Sequence, residues 1–149
     1  MFRSLLRLDR HVISFANHHG LLLARLALAL VYGWFGILKL IGASPANPLV
    51  DALLGKTLPF LTFGQFIIIL GWWEVAIAIA FLIPRLERVA ILLVAPHLVV
   101  TAMPLCLLPS LTWQSNWIPT LEGQYIIKNA VLAALALSVA GHLEPLNRR

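Results

Sequence analysis

The chain has 149 residues, of which 60% are hydrophobic and only 11% charged, with a net charge of +5 and a mean hydropathy of +0.90. A water-soluble domain carries roughly 25% charged residues, so an ordinary soluble fold is excluded and lipid becomes the expected solvent. The Lys and Arg residues fall in short clusters between apolar runs, with no continuous basic face, which argues against nucleic acid as a partner and for anionic headgroups.

In chain order, residues 1–20 predict an interfacial helix. Leu5, Leu8, Val12 and Phe15 recur at helical spacing, with Arg3, Arg7 and Arg10 on another face. The first long apolar run begins only at Leu21 and meets Arg25 early, so the segment reads as an uncleaved element. Span one is expected over 21–41. Its Arg25 and Lys39 are placed to snorkel toward headgroups, and Ala29, Gly33 and Gly36 form a small-residue stripe for close helix approach. Asn47-Pro48 signals a short helix between spans one and two, with Asn47 as its cap and Pro59 beyond its end. This short helix is expected on the membrane surface as a lid.

Span two, 65–83, holds a single carboxylate, Glu74, near its middle. An acid at the centre of a membrane helix costs roughly 2.5–3.5 kcal/mol on insertion scales, so it is expected to be paired, protonated or used. Span three, 89–108, contains His97 and two prolines, Pro96 and Pro104, which predict kinks. Trp113 and Trp117 in the following loop are expected as interfacial anchors. Span four covers 125–141, with an approach from Glu122. Seven Lys and Arg residues (Arg3, Arg7, Arg10, Arg85, Arg88, Arg148 and Arg149) fall on one side if the chain crosses four times, against Lys56 alone in the two other loops. The positive-inside rule then places both termini in the cytoplasm.

With about 1.5 Å of rise per residue, Glu74 and His97 lie at similar depth, roughly 14 and 16 Å from the outer surface. Lys128, about 9 Å down, is near enough for its stem to reach toward Glu74. Lys39 is shallower. The expected polar set is therefore Glu74, His97 and Lys128, with Gln65, Thr101, Tyr125 and Asn129 close in depth. Such a set either relays protons and holds a polar head group, or fixes helix register as a buried ion pair. Quinone head groups suit an apolar slot with donors at one end, and Trp34, Trp72 and Trp73 are candidate walls. Haem ligation fails because only His97 is deep, and no metal site is expected. No phosphate loop or serine elbow is present, and the single Cys106, expected as a small buried apolar residue, leaves no internal dithiol.

Several motifs resemble the DoxX-like family of small four-span membrane proteins: Gly36-Ile-Leu-Lys39, Gly71-Trp-Trp-Glu74, Pro104-Leu-Cys-Leu-Leu-Pro109 with Thr112-Trp113, and above all Leu121-Glu-Gly-Gln-Tyr-Ile-Ile-Lys-Asn129. Together they cover most of the chain from Arg25 onward. The resemblance implies an all-α, integral four-helix bundle in the bacterial inner membrane and an association with redox chemistry, including quinone-linked sulfur oxidation and oxidant resistance. The lone cysteine departs from any thiol-based version. The expected function is a redox-linked subunit with an intramembrane pocket for a quinone or similar small molecule, lined by Glu74, His97, Lys128, Trp72, Lys39, Tyr125 and Asn129. The alternative is a non-catalytic accessory or assembly subunit, with a homo-oligomer or a larger membrane complex as its context.

Overall fold

The computed structural model describes residues 2–145, with side chains from residue 5 onward. The expectations placed on Arg3, Arg148 and Arg149 lie outside the described side chains. The chain is mostly helical. Helix α1 runs Phe2–Leu40, α2 Asn47–Thr57, α3 Phe63–Leu82 and α4 Glu87–Ala102. Two single turns follow, α5 at Pro104–Leu107 and α6 at Pro109–Thr112. Strands β1 (Trp113–Ser115) and β2 (Ile118–Pro119) form a small antiparallel hairpin, and α7 spans Leu121–Ala140. Four stretches, Leu5–Leu40, Phe63–Leu82, Glu87–Leu107 and Leu121–Ala140, are long and apolar enough to cross a membrane.

Helix ends follow local chemistry. Thr62 and Gln65 close a capping box at the start of α3, and the Thr120 hydroxyl accepts from the Gly123 N–H at the start of α7. Gln65 is thus a cap and no part of a deep polar set. The expected cap Asn47 is instead the first residue of α2, whose N-cap is Ala46 with no side-chain bond; the Ser44 hydroxyl accepts from the Ala46 N–H. Helix α4 continues through Pro96, whereas Pro104 ends it and opens α5. The hairpin departs from an all-α expectation. It is tied down by Thr120 N–H donating to the Thr112 carbonyl at 2.9 Å and Trp113 Nε1 donating to the Leu105 carbonyl at 2.9 Å. Trp113 is partly buried against this turn, while Trp117 is 90% exposed.

The boundary expected near residue 20 is not a break. Residues 2–40 form one helix, because no proline interrupts them and Gly20 is tolerated inside a helix. Helices α1, α3, α4 and α7 pack in a ring, α1 against α3 and α7, and α4 against the same two. The shared core comprises Leu28, Tyr32, Ile77, Phe81, Val94 and Val139 with a set of alanines. The α1–α3 contact is the most intimate. A Cβ on Gly36 would lie 2.8 Å from the Gly71 carbonyl, and one on Gly33 would lie 3.3 Å from Ala78 Cβ. Backbone approach requires the glycine at 36, and Gly33 sits against a small side chain, as at small-residue helix crossings.

This crossing sets the register. Gly36 lies beside Gly71 and Glu74, and Leu40 reaches Gly71, so α1 ends where α3 still has eight residues to run toward Phe63. That overhang is about 12 Å. Helix α2 fills it, burying Leu53 and Leu54 and packing on α3 and α5, and Lys56 Nζ donates to the Leu107 carbonyl at 2.8 Å. The short helix therefore packs on the part of α3 that runs past the end of α1.

Arg25, expected to reach toward headgroups, finds partners within the bundle. Its guanidinium donates to the Phe81 carbonyl at 2.9 Å and pairs with Glu87 at 2.8 Å, with 15% and 16% of the two side chains exposed. It ties α1 to the last turn of α3 and the first of α4. Arg25→Gln should lower unfolding free energy by about 1–2 kcal/mol, since charge-assisted bonds at a partly sheltered site are lost. Thermal unfolding of the purified variant in detergent measures this.

Candidate functional site

The deep polar residues meet at the α1–α3–α4 junction. Lys39 Nζ donates to both Glu74 carboxylate oxygens, at 2.9 and 2.7 Å. His97 Nε2 lies 3.0 Å from Glu74 Oε1. All three are nearly sealed: Lys39 is 6% exposed, Glu74 4% and His97 4%. With the Lys39 amine donating to both its oxygens, Glu74 is the acceptor, so the hydrogen of the His97–Glu74 bond sits on Nε2; Nδ1 is left without a partner, an acceptor in the singly protonated ring and a donor in the doubly protonated one.

Two aromatic rings hold the imidazole. Tyr32 meets it edge-on with centroids 5.2 Å apart, and Trp73 does so at 5.6 Å. Trp73 Nε1 in turn donates to the Leu93 carbonyl at 3.1 Å, three residues before Pro96, where a proline disturbs the helical ladder. Tyr32, Gly36 and Lys39 are spaced by four and three residues, which puts them on one face of α1. Gly36 brings α3 close, Lys39 reaches its carboxylate, and Tyr32 closes over the histidine.

Three buried side-chain polar atoms have no hydrogen-bond partner among the described residues, and two of them, Tyr32 Oη and His97 Nδ1, belong to this junction. The third is Asn47 Oδ1, in α2.

The structure brings Glu74, His97 and Lys39 together and leaves the other expected members outside. Lys128 is exposed, with Nζ 5.2 Å over the ring centroid of Tyr125, itself 61% exposed. Its depth suits the site but its rotation does not: Ile126 takes the inward position, and two residues on is roughly 200° around the helix. Asn129 is half-buried on the same helix and touches none of the triad by hydrogen bond. Trp72 (59% exposed) and Trp34 (63%) face outward, so of the three expected walls only Trp73 faces in. Thr101 spends its hydroxyl on the Leu98 carbonyl. Cys106 is exposed on α5 instead of buried. Tyr32 is the member that depth counting overlooked; its spacing to Lys39 was the available signal. Among the described residues no group of three His, Cys, Asp or Glu side chains gathers as metal ligands. Comparison with family models, with curated proteins and with solved structures finds no match to this chain.

Proposed function

We propose that the chain is a DoxX-like integral membrane protein of the bacterial inner membrane. On this proposal four helices span the bilayer with both termini cytoplasmic, and the protein is a redox-linked subunit whose polar junction receives the head group of a quinone or similar small molecule. A single observation carries the head-group reading: Tyr32 Oη and His97 Nδ1, on rings whose centroids are 5.2 Å apart, are both buried without partners. A buried polar atom left unpaired costs about 1–3 kcal/mol, and native cores seldom leave two in contacting residues. The phenol is a donor that suits a quinone carbonyl. The imidazole nitrogen left without a partner suits the hydroxyl of the reduced form when the ring carries one proton, and the quinone carbonyl when it carries two. Behind it, Nε2 and Glu74 continue the chain of hydrogen bonds to Lys39. Lys39, Glu74, His97 and Tyr32 thus take the roles first sketched with Lys128.

The accessory-subunit reading also has an observation in its favour. Both Glu74 oxygens are satisfied within the chain, as a purely architectural ion pair would be. The two readings separate in one experiment. The protein in lipid nanodiscs is titrated with a short-chain quinone and with its quinol, and thermal stabilisation is followed. The wild type should be stabilised, and Tyr32→Phe should weaken quinone binding about tenfold, the worth of one good hydrogen bond, without losing unliganded stability. No stabilisation of the wild type by either form would reject the pocket and leave the accessory role.

A further inference from the structure

The packed ring uses only the second half of α1. Exposure is continuous from residue 5 to residue 18, and the first buried side chain is Ala24. At 39 residues α1 is about 58 Å long, whereas α3 and α7, at 20 residues, are about 30 Å, the thickness of a hydrocarbon core. The first half therefore reaches beyond the ring. It is also two-sided, with Leu6 and Ile13, 43% and 51% exposed, as apolar exceptions on the arginine flank. Leu5, Leu8, Val12 and Phe15 share a face and are 56%, 62%, 59% and 56% exposed. Arg7, Arg10 and Ser14 lie on the opposite face, and Asp9 is the segment's one acidic residue.

We propose that on an anionic lipid surface α1, one unbroken helix in this structure, bends at Gly20, so that residues 5–17 lie flat with the apolar face immersed. As a rod in water the segment would hold four large apolar side chains exposed together. The headgroup boundary covers them and gives the arginines phosphate partners, which is the chemistry of an interfacial amphipathic helix. Gly20 fits a joint: a Cβ there would meet nothing within 4 Å, so no packing requires this glycine, and glycine is a weak point in a helix. The partner is a membrane with anionic lipid, and the inference is independent of any ligand at the Glu74 junction.

The test uses the full chain with Cys106→Ser, reconstituted in phosphatidylcholine vesicles with and without phosphatidylglycerol. Nitroxide labels are placed singly at Leu8, Val12, His11 and Ser14. Labels at Leu8 and Val12 should collide mainly with oxygen, and those at His11 and Ser14 mainly with a water-soluble nickel chelate. The immersed population should fall roughly fivefold for each of Arg7→Gln and Arg10→Gln in the anionic vesicles. Equal chelate access at all four positions would overturn the proposal in favour of a rod in water. Spin–spin broadening at Leu8 and Val12 would overturn it in favour of a second copy on this face. Immersion indifferent to phosphatidylglycerol and to both arginines would overturn the anionic partner.

Discussion

Glu74→Leu should destabilise the protein by about 3–5 kcal/mol, the range seen when one partner of a buried ion pair is removed. Lys39 would be left 6% exposed without its counter-ion. His97 Nε2 would lose its acceptor as well. The double variant Lys39→Met/Glu74→Leu should recover most of that loss, because two well-packed apolar side chains replace a pair whose desolvation offsets its attraction. Equilibrium unfolding in mixed micelles of the wild type, both single variants and the double variant gives the coupling energy. Additive losses in the double variant would show that the two charges do not depend on each other. If the wild type shows the proposed quinone binding, a double variant that folds normally yet lacks it would place the charge in function and not in the fold.

Gly36→Ala should cost about 1–3 kcal/mol, although it adds one methyl group. That methyl would sit 2.8 Å from the Gly71 carbonyl oxygen and 3.0 Å from both Glu74 Cβ and Val75 Cγ2. Backbone and Cβ atoms cannot rotate aside, so α1 must lift from α3, and the Lys39–Glu74 contact one turn along is stretched with it. Gly55→Ala in α2 is the matched control. A Cβ there meets nothing within 4 Å, so the change should be neutral or stabilise by up to about 1 kcal/mol through helix propensity. Melting temperatures of the two variants should move in opposite directions or differ by several degrees. Equal melting temperatures would show that the α1–α3 crossing tolerates separation.

Much of this architecture was legible from residue pattern. The four long apolar helices, the short helix after span one and the meeting of Glu74 with His97 follow from hydropathy, turn residues and rise per residue. The partner amine did not follow, for a geometric reason. Depth was counted for each residue from the end of its own helix, which assumes that all helices end at one level. Helix α1 stops about 12 Å below the start of α3, so Lys39, one residue from its helix end, is as enclosed as Glu74. For Lys128 the opposite happened: depth was adequate, but rotation about α7 is set by packing around Gly123 and Ile126, and a span apolar on most sides does not announce its inward face. The cap at Gln65 was readable as Thr62-Phe-Gly-Gln65, a pattern with its own explanation.

The joining of Lys39 to Glu74 across consecutive spans bears on how the proposed membrane protein is made. Synthesis delivers the amine 35 positions before the acid. Until α3 emerges, the lysine can wait at the translocon rim with its stem stretched to water. When the second helix arrives, the opposite charges neutralise each other, and the hairpin can partition into lipid as one unit more readily than either rod alone. Order of emergence would then matter: a circularly permuted chain that presents α3 first, without α1 beside it, should leave the channel poorly and become a target for quality-control proteolysis.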